Sequence, residues 1–83
     1  MEYVIATYRS RSVSVRVYNY LVSNGVTASL VSTPRQANVG CGLSVRFGRG
    51  VLATFGNVLA TADSFVGFFV IKNTARGTTV AKL

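Results

Sequence analysis

Short β-rich runs alternate with segments of helix length along this chain of 83 residues. The runs contain many β-branched and aromatic side chains, which favour strands. Glycine, proline and asparagine lie between the segments and stop each one from extending into the next. The β-rich runs are residues 3–8, 26–33, 43–47 and 64–72, and the helix-length segments are residues 12–24 and 51–62.

This order of strand, helix, strand, strand, helix and strand limits the folds that the chain can adopt. We predict an α+β domain with a ferredoxin-like βαββαβ sandwich, in which two helices cover one face of a four-stranded antiparallel sheet. The preference for right-handed crossovers favours the same arrangement. Residues 1–72 form the single predicted domain, and residues 73–83 are expected to be a polar C-terminal tail or a short edge element.

The first helix-length segment permits two interpretations. Val13, Val15 and Val17 alternate with polar residues, as in a strand, but apolar side chains also recur at helical spacing as far as Leu21. The length of the segment and its final Asn24-Gly25 pair, which is typical of a helix C-terminus, favour the second interpretation. We therefore predict a helix.

The chain has one cysteine and no histidine, which excludes most kinds of catalytic or metal centre. One cysteine cannot form a disulfide within the chain or supply the four ligands of a structural zinc site. A Ser-His-Asp or Cys-His arrangement needs a histidine. The two carboxylates, Glu2 and Asp63, are far apart in the sequence, so we predict no metal site. An unpaired thiol suits a reducing compartment, and we expect the cytoplasm.

Nine basic residues against two acidic ones give the chain a net charge of +7. This charge could attract nucleic acid, a membrane surface or an acidic protein, or it could simply keep the protein soluble. The basic residues are dispersed along the sequence, which argues against a nucleic-acid patch. A membrane span is not expected either, because Asn57 and Asp63 interrupt the most apolar stretch, residues 51–71.

One segment of the sequence could carry covalent chemistry, and it centres on Cys41. Pro34 fixes the exit of the second strand, a flexible loop follows, and Cys41 then lies between Gly40 and Gly42 immediately before the third strand. The two glycines permit φ > 0, keep bulky neighbours away from the sulfur and offer backbone N–H groups to an anion. The segment therefore predicts an accessible thiol.

Two arginines near Cys41 add positive potential to this segment. Arg35 precedes Cys41 by six positions and Arg46 follows it by five. Cationic groups and free N–H groups lower the pKa of a thiol, so we expect a partly ionised Cys41 stabilised by Arg35, Arg46, Gly40 and Gly42. The alternative is that Cys41 is a buried, inert side chain that packs as a small hydrophobe.

The residues around Cys41 also carry a family resemblance. The parts concerned are Thr33-Pro34-Arg35, a five-residue spacer, Cys41-Gly42-Leu43 and Arg46-Phe47. Together they resemble the signature of a small domain family known as selenium/sulfur carrier protein-like. The resemblance covers about residues 2–72. It implies that Cys41 accepts sulfur or selenium as a persulfide or perselenide and passes it to a partner. It also implies that Arg35 and Arg46 are the arginines of the motif. The chain would then be a carrier rather than an enzyme.

The resemblance also implies the cofactors and partners of such a chain. No cofactor is expected other than sulfur or selenium bound covalently to Cys41. The expected partners are sulfur or selenium donor and acceptor proteins, and a homodimer stays open as an arrangement. A membrane is not an expected partner, and nucleic acid is disfavoured.

Three other functions stay open on the sequence alone. The chain could be a protein-interaction or dimerisation module in which Cys41 is structural, and thiol reactivity separates this function from a carrier. RNA binding fits the order of elements, but residues 43–47 contain one aromatic side chain and lack the motif of RNA-recognition domains. A lone Cys41 could also be a redox sensor that pairs with a thiol of a partner or of a second copy of the chain.

Overall fold

The structure is a computed structural model and describes residues 2–37 and 42–83. It confirms the α+β class, with two helices packed against an antiparallel sheet. In chain order the elements are β1 (Glu2–Tyr8), α1 (Arg11–Ser23), β2 (Ala28–Ser32), a 3-10 turn (Arg35–Ala37), β3 (Leu43–Phe47), α2 (Val51–Thr61), β4 (Phe65–Thr74) and β5 (Gly77–Lys82).

The first helix-length segment forms the helix α1, as its length and its C-terminal residues predicted. The Ser10 side chain caps this helix by accepting a hydrogen bond of 3.4 Å from the backbone N–H of Val13. Val13, Val17 and Leu21 are buried along one side of the helix, whereas Val15 is exposed. The alternation of valines therefore does not produce a strand, because only the residues at helical spacing reach the core.

The sheet has five strands in the order β2-β3-β1-β4-β5, and each strand is antiparallel to its neighbours. The prediction of four strands is wrong, because the chain reverses after β4 and Gly77–Lys82 adds a fifth strand at one edge. Gly77 has a φ of +125° at this reversal, and Thr74 Oγ1 donates a hydrogen bond of 3.1 Å to its carbonyl. The β-branched Thr78, Thr79 and Val80 that follow suit the extended conformation.

Both helices lie on one face of the sheet, and the main core fills the space between them and the strands. Tyr8 at the end of β1 is fully buried there, and its hydroxyl donates a hydrogen bond of 2.9 Å to the carbonyl of Leu59 on α2. Burial raises the pKa of Tyr8 above its ordinary value, because the ionised form would lose its hydration. The buried members of this core are Val4, Ala6, Tyr8, Val13, Val17, Leu21, Val45, Phe47, Leu59 and Val70.

The opposite face of the sheet, which we call the distal face, carries a second and smaller core. Side chains alternate between the two faces of a strand, and this alternation directs Ile5 of β1 and Phe69 and Ile71 of β4 to the distal face. Ala37 of the 3-10 turn is buried with them. The connection between β2 and β3 therefore begins on the distal face, where the turn Arg35–Ala37 lies.

Candidate functional site

The sequence places the candidate site at Cys41 with Gly40, Gly42, Arg35 and Arg46 around it. Cys41 and Gly40 lie outside the described residues. The structure therefore defines the site by the segment that enters the connection, up to Ala37, and by the segment that leaves it, from Gly42 onward. We call residues 33–42 the carrier loop.

The two ends of the carrier loop are joined by hydrogen bonds. The β2–β3 ladder ends with Ser32 opposite Leu43, and one step further the Thr33 N–H donates a hydrogen bond of 2.8 Å to the Gly42 carbonyl. The hydroxyls of Thr33 and Ser44 are also hydrogen-bonded to each other, and Ser44 is fully buried. These contacts fix the start and the end of the carrier loop relative to each other.

A second set of contacts ties the end of the carrier loop to the helix face. The Ser14 hydroxyl of α1 donates a hydrogen bond of 3.0 Å to the carbonyl of Leu43, the residue that follows Gly42. Ser14 is fully buried, and the bond itself is partly buried. The start of β3 is therefore held from the β2 side and from the helix layer at once.

The first half of the carrier loop is folded onto the sheet. The Ala37 N–H donates a hydrogen bond of 2.9 Å to the Pro34 carbonyl, which closes the 3-10 turn. Ala37 is 1% exposed and packs in the same cluster as Ile5, Phe69 and Ile71. The expectation of a flexible loop is therefore wrong for residues 35–37, because a small apolar side chain anchors them.

Gly42 has a backbone conformation that explains why glycine stands beside Cys41 in the sequence. Its φ is +83°, a backbone conformation that residues with a Cβ atom rarely adopt. A Cβ atom added at Gly42 would meet no atom within 4 Å. Glycine is therefore favoured at this position by its backbone conformation and not by a lack of space for a Cβ atom.

The two predicted arginines have different surroundings. Arg35 is exposed on the 3-10 turn, inside the carrier loop. Arg46 lies on β3 with its guanidinium carbon 4.1 Å from the centroid of the Tyr3 ring, a cation–π contact. Extended chain rises by about 3.3 Å per residue, so Arg46 is roughly 13 Å along β3 from Gly42.

The contact with Tyr3 also fixes the direction in which the Arg46 side chain points. Val4 pairs with Phe47, so Tyr3 lies beyond that pair, at the end of the sheet where β3 finishes. Gly42 lies at the opposite end, where β3 begins. Of the described residues predicted for the site, Arg35 and Gly42 lie in one loop, whereas the Arg46 guanidinium points away from Gly42.

Lys82 is a cation of the distal face that sequence reasoning did not include in the site. It pairs with Phe69 across β4 and β5 and therefore lies on the same face. Its side chain passes over Gly67, where an added Cβ atom would be 3.1 Å from the Lys82 Cε and 3.8 Å from its Nζ. Gly67 pairs with Thr7, and Thr7 pairs with Ser44, so the ammonium group reaches toward the end of the sheet where β3 begins.

Lys82 went unnoticed in the sequence because residues 73–83 were expected to be a polar tail or edge element. The signal that could have found it is the Gly77 turn followed by Thr-Thr-Val, a β-favouring run long enough to pair with β4. Pairing in a hairpin determines which face each side chain takes, and the sequence alone does not give the register.

The family to which the chain belongs follows from a comparison with protein-family models. Residues 3–63 match the family described as "Putative Se/S carrier protein-like". The chain belongs to this family. The matched residues include the whole carrier loop, and the resemblance is thus confirmed, although over a shorter stretch than residues 2–72. The comparisons with curated proteins and with solved structures give no match.

The charges of this Se/S carrier-like chain are distributed unequally between the two faces of the sheet. Glu2 forms ion pairs with Arg49 at 3.5 Å and Lys72 at 3.6 Å, and alternation along β1 places it on the helix face with Val4. Within residues 2–37 and 42–83, Arg35, Arg46 and Lys82 form no ion pair. The distal face therefore carries cations that no described carboxylate neutralises.

Two further observations bear on metals and membranes. In the part of the chain that the structure describes, no three residues of the Cys, His, Asp and Glu types come together as a metal site would require. No described helix has the length and apolar character needed to cross a membrane.

Proposed function

We propose that this chain is a sulfur or selenium carrier that holds a persulfide or perselenide on Cys41 and transfers it to a partner protein. Membership of the Se/S carrier-like family carries this proposal, because Cys41 is the only thiol in the chain and falls within the matched residues. A carrier of this kind needs one nucleophilic sulfur and no cofactor. It is a transfer protein rather than an enzyme.

The chemistry of loading is a thiolate exchange that needs no added oxidant. The Cys41 thiolate attacks the terminal sulfur of a donor persulfide, a new S–S bond forms to Cys41, and the donor leaves as its thiolate. Unloading reverses the pattern: an acceptor nucleophile attacks the terminal sulfur and the Cys41 thiolate leaves. A selenium atom takes the terminal position in the perselenide form. Each step keeps the number of electrons constant.

The residues that assist this exchange are those that favour an anion on Cys41. We assign this role to Arg35, which is exposed within the carrier loop, and to the backbone N–H groups of Gly40 and Gly42. The positive φ of Gly42 supports the assignment, because a residue in this conformation is one of the two that an anion-binding nest of backbone N–H groups needs. A thiol whose pKa is lowered in this way needs no histidine as a general base.

Arg46 takes a different role in this proposal. Its guanidinium stacks on Tyr3 at the end of the sheet remote from Gly42, so we do not assign it to the anion on Cys41. A cation held over an aromatic ring, with no described ion-pair partner, suits contact with a partner molecule instead. In this proposal Arg46 therefore serves docking and not the chemistry at Cys41.

The fold and the location of such a carrier are part of the same proposal. The strand order β2-β3-β1-β4 is the order that a ferredoxin-like split βαβ core requires, and we interpret β5 as an addition to that core. A reducing compartment such as the cytoplasm would keep an unpaired Cys41 available for exchange. The donor and acceptor would be proteins that present a persulfide or a nucleophile in a reachable site.

Intact-mass measurement tests the loading step. The folded chain is incubated with a small-molecule persulfide donor, the donor is removed, and the protein mass is recorded beside that of Cys41→Ser. We expect the mass of the wild-type chain to rise by one sulfur atom and that of Cys41→Ser to stay unchanged. Alkylation by iodoacetamide well below the ordinary thiol pKa of about 8.5 would accompany this result. A thiol that reacts only after unfolding would instead make the chain an interaction module with a structural Cys41.

A further inference from the structure

Three basic residues are spread over the distal face. Arg46 lies over Tyr3 at one end of β1, and the Lys82 ammonium lies near Gly67 and Thr7 at the other end. The separation of Tyr3 and Thr7 along the strand is about 13 Å, from a rise of about 3.3 Å per residue. Between these ends Ile5 is covered by the 3-10 turn, whose first residue is the exposed Arg35.

No described acidic residue opposes these cations on the distal face. Glu2 is engaged on the helix face by Arg49 and Lys72. Asp63 lies in the connection between α2 and β4, beside the helix layer. The positive potential of the distal face is thus not cancelled locally, and it includes the charge of Arg35 in the first half of the carrier loop.

The side chains of this face suit an acidic polypeptide better than a nucleic acid. Binding of single-stranded RNA or DNA relies on exposed aromatic rings on which bases stack. Among the described residues of the distal face, the ring of Tyr3 is already covered by the Arg46 guanidinium, and the ring of Phe69 is only 8% exposed. Guanidinium and ammonium groups bind carboxylates without any stacking platform.

We propose that the distal face is a docking surface for an acidic segment of a partner protein, whose carboxylates are bound by Arg35, Arg46 and Lys82. A segment in extended conformation would span the distance between the two outer cations with about four residues. It would lie across the turn that enters the carrier loop. The surface would therefore orient a partner relative to the loop that contains Cys41, but the docking itself requires no sulfur chemistry.

Fluorescence anisotropy with a labelled poly-glutamate peptide at low ionic strength tests this inference. The distal variant Arg35→Gln/Arg46→Gln/Lys82→Gln is compared with the control variant Arg9→Gln/Arg11→Gln/Arg16→Gln, which removes the same charge from exposed residues at and before α1. Exposed ion pairs contribute about twofold to fivefold each, so we expect the distal variant to bind about tenfold more weakly and the control variant to lose less than about threefold. Circular dichroism verifies that both variants are folded.

Three outcomes would overturn the inference. Equal losses in the two variants would show that only net charge matters. Absence of peptide binding by the wild-type chain would remove the docking surface altogether. Tighter binding of a labelled oligouridylate than of the peptide, lost in the distal variant, would assign the face to nucleic acid. The same titration with Cys41→Ser should match the wild-type chain, so failure of sulfur loading and failure of docking are separate results.

Discussion

The Thr33 N–H donates a hydrogen bond of 2.8 Å to the Gly42 carbonyl and so joins the two ends of the carrier loop. This bond extends the β2–β3 ladder by one step and brings the entry and exit of the loop together. Ala37 meanwhile anchors the first half of the loop on the distal face. The segment that carries Cys41 is thus connected to anchored residues at both of its ends.

Substitution of Gly42 tests whether the backbone conformation beside Cys41 is required. Gly42→Ala should destabilise the protein by about 1–2 kcal/mol, because an alanine at positive φ is strained even though its Cβ atom would have space. Gly48→Ala is the matched control, since its Cβ atom would also have space and its φ is not positive. Urea unfolding should show a change within about 0.5 kcal/mol for Gly48→Ala. Equal effects at the two positions would contradict the role assigned to φ.

Removal of the Ala37 anchor should release the first half of the carrier loop. Ala37→Asp would place a carboxylate among Ile5, Phe69 and Ile71, and the cost of burying it favours a state in which the turn leaves the sheet. Cleavage by trypsin after Arg35 should therefore become faster at constant temperature. Gln36→Asp, at an exposed neighbouring position, should leave the rate near that of the wild-type chain. Unchanged cleavage in Ala37→Asp would show that the turn is not held by this contact.

Gly67 is predicted to matter for docking rather than for stability. In Gly67→Ala the added Cβ atom would lie 3.1 Å from the Lys82 Cε, so the flexible Lys82 side chain must move aside. Because Gly67 lies within a strand, the free energy of unfolding should change by less than about 0.5 kcal/mol. Binding of the poly-glutamate peptide should nevertheless weaken about twofold to threefold, because displacement of the Lys82 side chain weakens one exposed ion pair without removing it. A large loss of stability would show that Lys82 cannot yield.

Tyr8 should make the stability of the chain depend on pH in the alkaline range. Burial raises the pKa of Tyr8 in the folded state above the value near 10 that an exposed tyrosine has. Above about pH 10 the unfolded chain loses this proton while the folded chain keeps it, so stability is full below that pH and falls as the pH rises further. Tyr8→Phe should remove this part of the pH dependence.

The same substitution also removes the hydrogen bond from the Tyr8 hydroxyl to the Leu59 carbonyl. At neutral pH, Tyr8→Phe should therefore lower the free energy of unfolding by about 1–2 kcal/mol. Tyr20→Phe is the control, because Tyr20 is 41% exposed and its ring lies against Phe55. If the alkaline decline of stability were identical in the wild-type chain and Tyr8→Phe, burial of this hydroxyl would not be its cause.

The elements that the sequence predicted well are those whose residues combine a periodic pattern with a clear end. For α1 the valines alone were ambiguous, and the cap at Ser10 and the Asn24-Gly25 terminus agree with the helix that forms. The edge strand β5 carries no such pattern. Val80 is partly buried and the other residues of β5 are exposed, so the strand shows no alternation of buried and exposed side chains.

The candidate site shows a similar division between local and long-range features. The positive φ of Gly42 could be foreseen, because it depends on the residue itself and its neighbours. The direction of the Arg46 side chain, toward Tyr3 and away from Gly42, could not, because it depends on how β1 pairs with β3. The contacts of Arg46 with Tyr3 and of Lys82 with Gly67 join residues from distant parts of the chain, and they depend on the register of the sheet.

The transfer of sulfur away from Cys41 tests the central proposal most directly. The folded chain is loaded with a persulfide donor, separated from the donor and mixed with cyanide, which accepts the terminal sulfur as thiocyanate. We predict that the loaded chain loses one sulfur atom in the intact mass while thiocyanate appears in equal amount, and that Cys41→Ser yields neither change. A folded chain that cannot be loaded, or that keeps its sulfur until urea unfolds it, would contradict a carrier function.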